Sequence, residues 1–175
     1  MGKSQYKISF GGLSVGIHEF EFVLDEKFFK GIENSEIEKA ELNVKAVLIK
    51  QNNTLQADFL IAGTVAVECD RCLKGFDFPI RAEESLVIKY GDPIESNDEI
   101  LVIREGETEF DASKYLHEYI VLAIPARKVP CEIDKKKFKC DEDALAKLDS
   151  LSATEKKETF NPMWEQLSKL KKNKN

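Results

Sequence analysis

The sequence predicts an α+β fold: a largely antiparallel β-meander or open barrel in the first half, covered by a few helices from the second half. Three observations carry this expectation. Apolar and polar residues alternate through most of the first half, as half-buried strands require. Beyond Asp111 the apolar spacing becomes helical. Turn-forming stretches, Gly11-Gly12, Gln51-Asn52-Asn53 and Gly91-Asp92-Pro93, fall between the periodic runs.

Tyr6, Ile8 and Phe10 alternate up to Gly11-Gly12, where a turn is expected. Leu13, Val15 and Ile17 then alternate on odd positions and Phe20, Phe22 and Leu24 on even ones. A one-residue slip exchanges the faces of a strand, so this change of phase predicts a bulge or break near His18. Asp25 to Lys30 reads as a short helical turn or loop. Leu42, Val44, Ala46 and Leu48 form a further strand.

The longest alternation runs from Leu55 to Val67, one bent strand or two, with Gly63 as a bend point. It leads into Cys69-Asp-Arg-Cys72-Leu-Lys-Gly75. Phe76, Phe78 and Ile80, then Leu86 and Ile88, resume the strand pattern. The cysteine pair therefore sits on a turn between strands. Residues 91–98 read as an exposed loop and Ile100–Ile103 as a short strand.

Asp111 is placed to cap a helix carrying Tyr115, Leu116, Tyr119, Ile120 and Ala123. That helix must end near Ile124, because Pro125 disfavours helical geometry in the residue before it. Cys131 to Cys140 is a short polar excursion, and Asp141 looks like the cap of a small helix through Leu148. In the last element, Asn161 and Pro162 start a helix with Met163, Trp164, Leu167 and Leu170 on one face. About three turns are too few to stand alone, so it must dock in cis or on a partner. The expected organisation is one domain over 1–149, a polar linker over 150–160, and a docking helix with a basic tail over 161–175.

The net charge of −6 speaks weakly against broad nucleic-acid affinity. It is unevenly spread. Nine acids between Asp92 and Glu118 face only Arg104 and Lys114, whereas the tail from Lys169 carries four lysines and no acid. No stretch approaches the ~20 apolar residues that span a bilayer. The N-terminus lacks the apolar core of a signal peptide. The expected location is cytoplasmic, where thiols stay reduced.

Four cysteines in such a setting suggest metal, redox or plain structural roles. Cys69 and Cys72 can hold two corners of a zinc tetrahedron, with Cys131 and Cys140 completing it and Gly75 easing the tight turn. Eight residues separate the second pair, and 58 lie between the pairs, so tertiary folding would have to assemble the site. Dithiol chemistry is the alternative, but a strand pattern follows the pair, not the helix that lowers a thiol pKa. The third reading is plain structure: small, partly buried thiols with no bound ion. His18 and His117 have no nucleophile near them in sequence, and no phosphate-loop, dinucleotide or nucleophile-elbow motif is present.

The order of these features resembles the YceD-like family, the large ribosomal RNA subunit accumulation proteins, over roughly residues 10–170. Cys69-Asp-Arg-Cys72-Leu and Asn161-Pro-Met-Trp-Glu-Gln-Leu167 are the most specific marks. Val129-Pro-Cys-Glu-Ile-Asp134 followed by Cys140-Asp-Glu-Asp143 is similar to a Bacteroidetes-type variant. The resemblance implies a bacterial cytoplasmic protein needed for accumulation of the large-subunit ribosomal RNA. In that family the gene commonly neighbours one for a small large-subunit ribosomal protein, and no catalytic residue is established to carry over. Some members hold a tighter second C-x2-C pair where this chain has Cys131 and Cys140, which implies a four-thiol metal site.

The function expected is thus a non-enzymatic assembly factor that binds ribosomal RNA, a large-subunit ribosomal protein or both, with no membrane and no small-molecule substrate. Arg71, Lys74, Arg127, Lys128, Lys135, Lys136, Lys137 and Lys139 would form one basic patch if the excursion folds over the cysteine turn. Trp164 is a further candidate for partner contact. Two rivals remain: a small thiol-redox or metal-dependent enzyme using Cys69 and Cys72, and a chaperone for a basic ribosomal protein, its client screened by the acidic stretch 92–118.

Overall fold

The computed structural model describes residues 5–33, 35–52, 54–97, 99–133 and 136–151. The chain forms two compact units, residues 1–139 and 140–175. Among the described residues the first unit holds seven strands: β1 (Lys7–Ser9), β2 (Gly16–Leu24), β3 (Ala40–Lys50), β4 (Leu55–Glu68), β5 (Gly75–Tyr90), β6 (Ile100–Ile103) and β7 (Glu109–Asp111). Its helices are α1 (Glu26–Lys30), α2 (Ser113–Ala123) and the single turn α3 (Pro130–Ile133). The described part of the second unit is α4 (Glu142–Leu151), which buries no residue and whose Ala144 N–H is capped by Asp141 Oδ1 at 3.0 Å.

Strands β2 to β6 make a five-stranded sheet in sequential order, and β1 pairs with β7 separately. Four strands form the expected antiparallel meander; β6 joins β5 in parallel. The sheet is open, not closed into a barrel. Strand β4 is continuous, from Leu55 opposite Ile88 to Glu68 opposite Gly75, so the alternation from Leu55 to Val67 is one strand. Gly63 is required within it. Its φ is +151°, and a Cβ there would lie 2.1 Å from the Glu41 carbonyl oxygen.

Of the bulge or break expected near His18, no bulge is found, and the interruption falls just before Gly16. His18 pairs in register with Leu48, and β2 begins only at Gly16. Leu13 and Val15 therefore precede the strand. Ile17, 68% exposed, faces outward opposite Ile49. One outward apolar residue at the strand start had the appearance of a phase change. Two further expectations need adjustment. Ala112, not Asp111, is the residue that precedes α2; Asp111 Oδ1 still accepts a hydrogen bond from Ser113 N at 2.9 Å. The short strands β1 and β7 pair with each other, Ile8 opposite Phe110.

One face of the sheet carries the core. Leu42, Val44, Ala46 and Leu48 of β3 and Ala57, Phe59 and Ile61 of β4 pack with Leu116 and Ile120 of α2, all essentially shielded from solvent. Helix α2 stops where Pro125 demands: Ile124 is already extended, at φ −80° and ψ 123°. Phe28 and Phe29 of α1 close one end of this core. Among the described residues no charged or polar side chain is fully buried.

Candidate functional site: a cysteine corner

Strands β4 and β5 form one long hairpin, and its closed end is the cysteine turn. Cys69 N donates to Lys74 O at 3.0 Å and Leu73 N to Cys69 O at 2.8 Å. Gly75, expected to supply the turn's freedom, is instead the first residue of β5. The left-handed residue is Leu73, φ +58°, the one non-glycine with positive φ among the described residues. Its side chain is 72% exposed. A left-handed leucine costs on the order of 1 kcal/mol. The turn holds it there because the backbone must reverse immediately after Cys72.

The segment beyond α2 returns to this turn. Asp70 N donates to Lys128 O at 2.9 Å, and Lys128 N donates to Asp70 Oδ2 at 2.6 Å. Lys128 Nζ adds an ion pair to Asp70 at 3.4 Å. The Lys128 amide above all, then the Lys128 and Arg127 charges, lowers the Asp70 pKa from its ordinary value of 3.8. Glu132 on α3 bridges two arginines, Arg127 at 3.0 Å and Arg71 at 4.0 Å. Exposed pairs of this kind contribute at most about 1 kcal/mol each. Together they fix residues 127–132 onto the 69–72 turn across a long stretch of chain.

Cys69 and Cys72 are buried and remain thiols. Cys131 and Cys140 are disulfide-bonded in this structure. The sulfurs of Cys69, Cys131 and Cys140 all lie within 4.8 Å of one another, an arrangement that can hold a metal ion. A zinc tetrahedron with bonds of about 2.3 Å has sulfur–sulfur edges of about 3.8 Å. The three cysteines could therefore supply thiolate ligands to a metal ion once the disulfide is reduced. Cys72, the fourth sequence candidate, is not among the three clustered sulfurs.

The basic candidates are brought together only in part. Arg71, Arg127 and Lys128 converge on Asp70 and Glu132, so three of these cations already face carboxylates. Lys74, Lys136, Lys137 and Lys139 are exposed, with Lys137 Nζ 5.4 Å from the Phe138 ring centre. Lys135 and Trp164 lie outside the described residues. The sequence reading missed Asp70 and Glu132. Their signal was an acid between two cysteines and another beside Cys131, each within a basic neighbourhood.

Each histidine makes a hydrogen-bond contact away from the cysteines. His18 Nε2 lies 2.9 Å from Ser14 O, and His117 Nε2 lies 3.2 Å from Ser35 Oγ. No helix among the described residues is long and apolar enough to cross a membrane.

Fold and site together define an α+β protein with an open sheet, a helix-covered core and a cysteine-lined corner clasped by acid–base pairs. The family model of the large ribosomal RNA subunit accumulation protein YceD matches residues 57–171, well over half of the chain, and the chain belongs to that family. No curated protein and no solved structure matches it.

Proposed function

We propose that this protein supports accumulation of the large-subunit ribosomal RNA as a non-enzymatic assembly factor, binding precursor RNA, a large-subunit ribosomal protein or both. The observation that carries this reading is the family match over residues 57–171, which include the cysteine turn. The corner supports binding over catalysis. A reactive dithiol wants an exposed, activated thiol at a helix N-terminus. Cys69 instead is buried at the end of a strand.

Zinc is the ion that suits the sulfur set. Cys69, Cys131 and Cys140 would hold it, and Cys72 would complete the tetrahedron by rotating its side chain inward. Its role would be structural: fastening residues 127–133 to the hairpin and thereby fixing the binding surface. The protein acts in the cytoplasm, where reduction of the Cys131–Cys140 bond makes both thiolates available.

Gradient sedimentation of lysate containing the tagged full chain tests the reading. The chain should travel with large-subunit precursor particles. Association that survives nuclease identifies a protein partner, and association that does not identifies RNA. A chain that stays at the top of the gradient under both conditions refutes the assembly role.

A further inference from the structure

A groove of about 770 Å³ lies beside the cysteine turn, wholly within the first unit. Its apolar surface comes from Val67, Phe76, Val121, Ile124 and Pro125. Val121, 44% exposed, leaves an aliphatic side chain open to solvent at the end of α2. Around this surface stand four exposed carboxylates, Glu36, Glu38, Glu68 and Asp77. None of the four forms an ion pair among the described residues. The two lysines of the groove do not balance them: Lys128 is engaged by Asp70, which leaves Lys39.

An apolar floor within an acidic rim selects its occupant by chemistry. Phosphate is repelled, since four carboxylates border the one groove. A segment with apolar side chains on one side and lysines or arginines on the other satisfies both features. The groove also depends on the corner. Glu68 and Gly75 border the cysteine turn, and Lys128 is the residue clasped by Asp70.

We infer that this groove binds a basic, amphipathic segment of a partner protein, and that the corner holds its wall in place. This deepens the assembly reading and rests on it for the partner's setting: the protein client of the site is a lysine- or arginine-rich segment, not the RNA.

The test uses the full chain and two fluorescent probes: a synthetic lysine–leucine amphipathic peptide of about 14 residues and a single-stranded RNA of similar length. The peptide should bind, more weakly as salt rises. The combined variant Glu36→Gln, Glu38→Gln, Glu68→Gln, Asp77→Asn should lose about tenfold in peptide affinity. Val121→Ala, at an exposed position that leaves the fold intact, should lose about threefold. RNA should not displace the peptide.

Unchanged peptide affinity in the folded variants overturns the inference, as does displacement by RNA. So does a full chain that binds no peptide, as it would if residues 161–174 of the chain itself filled the groove. Sedimentation separates this failure from failure of the assembly role. A carboxylate variant that rides with precursor particles as the wild type does defeats the groove and leaves the role standing. Groove-dependent peptide binding by a wild type that never rides with them defeats the role and leaves the groove standing.

Discussion

The sheet core and the cysteine corner are built by different physics. The core is a continuous cluster of shielded aliphatic and aromatic side chains running from β3 and β4 to α2. The corner has four buried apolar residues, Cys69, Cys72, Val129 and Pro130, none of which belongs to that cluster. What holds the corner is a pair of hydrogen bonds between Asp70 and Lys128, a carboxylate shared by Arg71 and Arg127, and sulfur. A region without its own core is stabilised by cross-links, and its order can be changed without unfolding the rest. The difference separates a scaffold from an adjustable corner.

Substitutions that sharpen this division are expected to differ in size. The largest effect belongs to Gly63→Ala, which drives a Cβ into the Glu41 carbonyl at a positive φ. A loss of about 3 kcal/mol or more by chemical denaturation is expected, with core and corner lost together because β4 runs through both. An equally stable variant would show that β4 is not continuous.

Removing metal from reduced protein with a chelator should act on the corner alone. Hydrogen-exchange protection should fall at residues 69–75 and 127–133 and persist in β3 and α2. Asp70→Ala should mimic this and weaken zinc retention by about tenfold, measured by competition with a chelating dye. Acid should weaken the clasp in the same direction. Because Asp70 is held below its ordinary pKa of 3.8, its contribution is present above that value and lost as pH falls through the lowered one. Uniform loss of protection across the chain would erase the distinction between the regions.

Two smaller effects run towards stability. The Tyr119 hydroxyl is buried with no hydrogen-bond partner among the described residues. Burial first, then the Glu84, Tyr115 and Glu118 charges, pushes its pKa up to about 12. Its contribution is therefore intact below pH 10 and lost as pH rises towards 12. Tyr119→Phe should gain about 1 kcal/mol at neutral pH and remove this alkaline loss. Leu73→Gly should gain about 0.5 kcal/mol by relieving the left-handed leucine. Destabilisation there would mean that the exposed side chain packs on something.

The core was largely legible in the sequence because period-2 alternation and its physical cause coincide. Residues 42–48 and 55–67 alternate because one face is dry and the other wet, and that is how β3 and β4 are built. Pro125 likewise announced the end of α2. Strands of three residues, such as β1 and β7, offer too few alternations to stand out in β7's case. Ile17 misled because an outward-facing isoleucine obeys cross-strand pairing with Ile49, not burial.

The corner was legible as cysteines but not as a clasp. C-x2-C spacing points to a metal at the level of residue type. The contacts of Asp70 with Lys128 and of Glu132 with Arg71 span tens of residues and leave no periodic trace. Leu73 in a left-handed turn could not be anticipated either, since glycine is the residue such a position favours and Gly75 lay two residues away.

The central proposal is that the clasped corner serves accumulation of the large-subunit RNA. Its most direct test is the ratio of large- to small-subunit ribosomal RNA in cells whose only copy carries Asp70→Ala together with Glu132→Ala, compared with wild type at equal protein level. The ratio should fall towards that of cells lacking the protein. An unchanged ratio, with the variant folded and its corner shown by hydrogen exchange to be open, would contradict the claim.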